Sequence, residues 1–345
     1  MNTALGINIY GGGFTLGVQK HFKVLGQWEE CKLGMRTFDL NFKGIPRPLN
    51  FADWPVKKHI GKVDFVFANP PCAPWSIANN HPGKTRESRF LDKRLELTEH
   101  TMRTAVKLRP QIFISESVEN AYNIGENHYD QYKAMWMRAG YAVTYFLTDA
   151  ILHGAPCARR RFHFIAHKHD LQLGNIPKII KPMTVRDAIG DLLKVDGKIA
   201  LHTKVDCNQH LEKILPLVIS GAKLYTVINQ LGEEYKGPKR GFLVRRLCWD
   251  TPACTMVGFD FIHPDGKRFI THREALRLCT YPDSFISHNA IEAVDAVIPT
   301  VANFLANTAK KTIKKARPVN PTFNVVDWRP HGLQFHIRNY KNKTS

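Results

Sequence analysis

The chain has 345 residues, enough to bury a full core and to hold two domains. Hydrophobic residues make up 43% and charged ones 23%, which argues against disorder, and no apolar run reaches the ~18 residues of a membrane span. Forty-nine Lys and Arg against thirty Asp and Glu leave a net charge of +19, which favours a polyanionic partner such as nucleic acid over a membrane.

Met1 to Ile9 is short and uncharged, unlike a secretion signal, and residues 3–10 read as an apolar strand. Gly11, Gly12 and Gly13 open a turn into FTLGVQKHF. A second strand, VLGQW, ends on Glu29 and Glu30. DFVFA (64–68) is a compact strand that delivers the chain to NPPCAPWS. A basic loop follows at 79–89, with Lys84, Arg86 and Arg89. Residues 91–109 then carry Leu91, Leu95, Thr98, Met102, Ala105 and Val106 at helical spacing, and Pro110 stops the helix. The strand QIFIS leads into ESVEN, a helix is expected over 128–139, and YAVTYFL and ARRRFHFIAHK supply two more strands. This alternation over residues 1–174 predicts an α/β fold with a Rossmann-like, doubly wound sheet.

Periodicity weakens between 175 and 270, where prolines mix with basic clusters at Lys236, Lys239 and Arg240 and at Arg245 and Arg246. A smaller second domain is expected there. Helical patterning resumes at HREALRLC and over 291–315, so residues 271–316 return to the first domain, and 317–345 form a basic C-terminal tail.

Three segments carry chemistry. Cys72 follows a strand end, where open α/β sheets bind ligands, and Pro70, Pro71 and Pro74 stiffen the backbone around its sulfur. This segment alone fits a catalytic and a structural cysteine equally. The other six cysteines (31, 157, 207, 248, 254 and 279) form no C-x-x-C pair, so neither a disulfide scaffold nor a structural zinc site is expected. Glu116, again near a strand end, suits protonation of a pyrimidine at N3, although a lone Glu is more often a surface or capping residue. Arg159 and Arg161 alternate at a strand start and point to one face, which suits a base carbonyl and a phosphate. The alternative for that pair is a solvated basic edge.

In this order the segments resemble the DNA cytosine-5 methyltransferases, and the match runs through most of the chain. GGFTLG (12–17) is similar to the family's glycine-rich cofactor loop, and PPCAPWS to its nucleophile loop. The resemblance implies that Tyr10, Gly12, Gly13, Phe14 and Pro71 line an S-adenosylmethionine site. Glu29 is then the ribose-binding acid and Asp53 the contact to the adenine amino group. Cys72 becomes the nucleophile, Glu116 the glutamate of Glu-Asn-Val, and Arg159 and Arg161 the paired arginines, the second reaching cytosine O2. MTVRDAIGDLL (183–193) resembles the entry to a target-recognition region, HREALRLCTYPDSF the late Arg-Glu motif, and AVIPTVANFLA, weakly, the last motif. The implied partner is double-stranded DNA, with a flipped base, no metal, a monomeric state and the cytoplasm of a prokaryote or phage host as the setting.

Five departures from the pattern stand out. Asn8, Ile9 and Tyr10 replace Phe-x-Gly, Ala73 replaces a glutamine, Ser117 and Cys157 replace an asparagine and a glutamine, and Val294-Asp295 replaces Gly-Asn. The chemistry on the base is intact while the donor side is altered. Three alternatives remain: an exocyclic amino methyltransferase from the Asn69-Pro70-Pro71 run, a tRNA cytosine-5 methyltransferase, and a non-catalytic or altered-donor DNA-binding relative. The first lacks an aromatic after the prolines and leaves Arg161 unexplained.

Overall fold

β1 (Thr3–Ile7) stops three residues before the apolar pattern does, because Asn8 and Tyr10 take left-handed backbone with φ of 52° and 54°. This computed structural model describes residues 1–46, 56–76, 86–179, 181–195, 199–203, 209–232, 244–256 and 261–330. The further strands are β2 (Lys23–Trp28), β3 (Phe65–Ala68), β4 (Ile112–Val118), β5 (Ala142–Asp149), β6 (Arg160–His167) and β7 (Phe323–Asp327). They form one sheet in the order β2-β1-β3-β4-β6-β5-β7. β2, β1, β3 and β4 pair in parallel, β6 runs antiparallel to both its neighbours, and β7 lies parallel to β5.

Both faces of the sheet are covered, as the doubly wound expectation requires. β3 shows how: Phe65 and Phe67 join one core while Val66 and Ala68 join the other, all fully buried. On the first face the helix Gly13–Val18 packs on the helix Pro299–Lys315 so closely that a Cβ on Gly17 would lie 2.3 Å from the Asn303 nitrogen. On the second, Trp136 of the helix Glu126–Arg138 stacks on Phe113 of β4, with ring centroids 4.9 Å apart.

The helical pattern over 291–315 is broken in the structure. It forms two helices, Ala290–Val294 and Pro299–Lys315, separated at 295–298. Pro299 has no N–H and disfavours helical backbone in the residue before it, so it starts a helix and cannot continue one. Within the stretch expected as a basic tail, Phe323–Asp327 forms β7, and Trp328 packs against Phe146, His153 and Phe304.

The residues between β6 and Pro299 divide their packing. The helix Val185–Ile189, capped by Thr184 and Asp187, buries Val185 and Ile189 in the main core. A separate small core gathers Ile214, Leu215, Val218, Leu224, Val227, Ile228, Val244 and Ile262. The helix His272–Leu278 then returns to the main core through Ala275, Leu276 and Leu278. Among the described residues no helix is long and apolar enough to cross a membrane.

Candidate active site

The carboxyl ends of β1, β3 and β4 open on one edge of the sheet, where doubly wound folds hold ligands. β3 delivers Asn69, Pro70, Pro71 and Cys72 there, and a short 3-10 turn, Ala73–Trp75, fixes the loop through a bond from the Trp75 N–H to the Cys72 carbonyl (3.0 Å). Trp75 is buried against Phe90, and the Arg89 guanidinium donates to the carbonyls of Pro74 and Ser76, both at 3.0 Å. Arg89 therefore holds the turn that follows Cys72. The rest of the basic loop expected at 79–89 lies largely outside the described residues, Lys84 included, and so does Asp53.

Glu116 lies inside β4, two residues before its end, and is almost fully buried. In the antiparallel register Arg161 faces Val118, so it shares a face with Glu116 and meets it diagonally. The Arg161 Nε stands 2.8 Å from Glu116 Oε1, a close ion pair whose N–H is not aligned on that oxygen. Oε2 instead accepts a bond from the Asn69 amide at 2.6 Å. Three distant segments thus converge on one carboxylate, and Oε1 keeps hydrogen-bonding capacity for a substrate. Burial pushes the Cys72 thiol above its ordinary value, Arg161 and Arg159 pull it back, and Glu116 and Asp295 add to the rise.

Arg159 behaves differently from Arg161. It precedes β6, and its guanidinium donates to the carbonyls of Val294 (2.7 Å), Asp295 (3.1 Å) and Ala296 (3.2 Å). The paired-arginine expectation put both side chains on the substrate, yet the Nη groups of Arg159 cap the broken helix at 294–296. Asp295, exposed between buried neighbours, is carried to the site by that clamp. Desolvation nevertheless raises its carboxyl, against the pull of Arg159 and Arg161.

The donor side is mixed. Tyr10, half-buried, sits at the end of β1, and Glu29 at the end of β2 is nearly fully buried. Glu29 accepts the Tyr10 N–H at 2.5 Å and the Cys31 N–H at 2.7 Å, and so ties the two loops together. Each of its oxygens keeps a second lone pair. Gly11 and Gly13 do not leave open space: a Cβ would meet the Glu292 carbonyl at 2.6 Å and the Val297 carbonyl at 2.1 Å respectively. Gly12, at φ 90°, turns the chain under the Phe42 ring. Phe14 is fully buried with its ring 5.2 Å from that of Phe67, so its side chain belongs to the core. Asn8 turns away as well, donating to the Thr101 hydroxyl at 2.7 Å. A buried acid beside an aromatic wall, at the strand ends next to Cys72, fits a nucleoside-bearing donor.

A sequence model of the C-5 cytosine-specific DNA methylases matches residues 9–311. The chain belongs to that family. Its methyl donor is S-adenosylmethionine. Type II methyltransferase M.MthTI of Methanothermobacter thermautotrophicus is 27% identical over 339 residues, covering 88% of this chain and 94% of that protein. Type II methyltransferase M1.BsuMI of Bacillus subtilis is 26% identical over 251 residues, 69% of this chain, and the match spans only 57% of that longer protein. Among solved structures, Entamoeba histolytica methyltransferase EhMeth shares the fold with a TM-score of 0.63 at 12% identity, covering 91% of this chain and 99% of that one. Two features of the site leave little trace in the sequence. Asn69 reads there only as part of a proline run, and the clamp from Arg159 to 294–296 has no local signal beyond Pro299.

Proposed function

We propose that the protein methylates carbon 5 of cytosine in duplex DNA, with Cys72 as transient nucleophile. The observation that carries this is the convergence of Asn69, Glu116 and Arg161 beside Cys72. Cytosine C5 is a weak nucleophile, and its edge is inaccessible inside a duplex, so the base must first leave the stack. The Cys72 thiolate then adds to C6, forming a C–S bond, while Glu116 delivers a proton to N3 and so neutralises the charge that develops on the ring. This leaves C5 enamine-like. Bound S-adenosylmethionine supplies the electrophilic methyl carbon that C5 attacks. A water takes the C5 proton, and the freed C5–H electron pair expels the Cys72 sulfur as thiolate. N3 then returns its proton to Glu116, which restores the ring.

Each residue has a distinct task in this scheme. Asn69 fixes Oε2 and turns Oε1 of Glu116 toward the base. Arg161 lowers the thiol and reaches for the cytosine O2. Arg159 keeps the 294–296 segment against the site. Glu29 and Tyr10 would hold the donor's ribose and adenine end, and Pro71 would flank it. The segment 175–270, with its own small core, would read the target sequence.

Mass spectrometry of nucleosides from DNA incubated with the protein and donor tests the reading, with 5-methylcytosine expected. Cys72→Ser should abolish it while DNA binding persists, because phosphate contacts hold the duplex. DNA carrying 5-fluorocytosine should give a denaturation-resistant adduct with the unaltered protein. Full methylation by the serine variant would remove covalent catalysis from this scheme.

A further inference from the structure

We propose that the sheet edge opposite Cys72 is a second contact surface for duplex DNA. Lys62 precedes β3, Arg109 precedes β4, and Lys168 follows the antiparallel β6. Because these strands are neighbours, all three cations stand on the same edge, at the amino ends of the parallel strands. The backbone ties them together: Gly61 N–H donates to the Leu108 carbonyl at 2.9 Å, and the Lys168 ammonium to the Arg109 carbonyl at 3.4 Å. Lys57 and Lys58, on the short helix Val56–His59, and Lys107, in the last turn of the helix Leu95–Leu108, extend the patch.

Five of these six side chains are exposed, and Lys168 is half-buried over the Tyr141 ring. None of the six forms an ion pair among the described residues. The nearby acid in sequence, Asp64, accepts from the Thr3 N–H at 2.8 Å and the Thr3 hydroxyl at 3.2 Å. Like charge is felt within the patch. Burial first, then Lys58 and Lys62, lower His59, and burial first, then Arg109, lower Lys168. A cluster of cations without ion-pair partners is unfavourable in the isolated protein, and a polyanion relieves it.

Distance decides which polyanion segment this is. β4 spans the sheet from this edge to Glu116 in four steps from Ile112, about 13 Å of strand at ~3.3 Å per residue, before either surface loop is added. That already exceeds the ~8–10 Å screening length at physiological salt. The patch therefore adds little to the hold on a duplex whose base lies at Cys72. A separate stretch of duplex, with one phosphate charge per ~1.7 Å of axis, fits it instead. The choice of DNA rests on the proposed function; the placement of the patch does not. A protein gripping two segments would pass from one to the other without leaving DNA.

The test is bridging between two short duplexes, one carrying a donor dye and one an acceptor, read as energy transfer at increasing protein and salt. The unaltered protein should bridge, and bridging should fall as salt rises. The triple variant Lys62→Gln, Arg109→Gln, Lys168→Gln should lose it at least tenfold, whereas Lys62→Arg with Lys168→Arg should keep it. Formation of 5-methylcytosine should persist in both, which shows that they fold. Duplex binding without bridging by the unaltered protein, or equal bridging by the glutamine variant, would overturn the second surface alone. Absence of any duplex binding or methylation would instead overturn the DNA reading beneath it.

Discussion

Arg159→Ala separates a clamp from a catalytic contact. The guanidinium is buried and donates to three carbonyls of residues 294–296, so its removal strands three acceptors at a helix end. A hydrogen bond to a charged group contributes ~1.5–3 kcal/mol, but three bonds from one side chain are not additive, so a loss of about 3–5 kcal/mol is expected. Unfolding entropy of ~2.1 cal/mol/K per residue over 345 residues is about 0.7 kcal/mol/K, which converts this into a fall in Tm of roughly 4–7 °C. Arg159→Lys can satisfy some of the carbonyls and should recover part of the loss. Circular dichroism melts, with denaturant titration as a second measure, read the effect. An alanine variant within ~0.5 kcal/mol of the unaltered protein but without activity would refute the clamp and return Arg159 to the substrate, since that is the range of inert substitutions.

Glu116→Gln should slow single-turnover methylation by roughly 10² or more while leaving DNA affinity nearly unchanged, and an unaltered rate would sink the N3 role. Because burial raises the Cys72 thiol, less of it is thiolate at neutral pH. Its alkylation by iodoacetamide should keep accelerating with pH beyond the ordinary thiol range, and Arg161→Ala should move that rise higher still; a plateau at lower pH would contradict the electrostatics. Glu29→Ala should weaken S-adenosylmethionine binding by about 1–3 kcal/mol in calorimetry. Binding that the substitution leaves untouched would mean that the donor lies elsewhere.

What could be read from the sequence was whatever a short segment contains. NPPCAPWS announced a constrained cysteine because its prolines are its neighbours, and the strands β1 to β6 were visible as apolar runs. Long-range contacts left no such trace. The acceptors of Arg159 begin 135 residues away in the chain, and a guanidinium suits a carbonyl and a phosphate equally well. Phe14 adjoins the glycines of the cofactor-loop resemblance, whereas the depth of its ring is set by Phe67 on β3, which no local pattern shows. The seventh strand was missed for a different reason: Phe323–Asp327 is mostly exposed, so it lacks the alternation that marks a half-buried strand.

The close approach of Gly17 to Asn303 has a consequence for how the protein is made. The helix Gly13–Val18 leaves the ribosome well ahead of its partner Pro299–Lys315. At ~5–20 residues per second the intervening chain takes roughly 15–60 s to synthesise. Throughout that interval Phe14 and Val18 sit in a half-built layer with one wall missing, while the small core around Leu215 and Val227 can already close. The nascent methylase is therefore exposed to chaperones and proteases on that face of the sheet, and becomes resistant there only when the helix Pro299–Lys315 seats against Gly13–Val18.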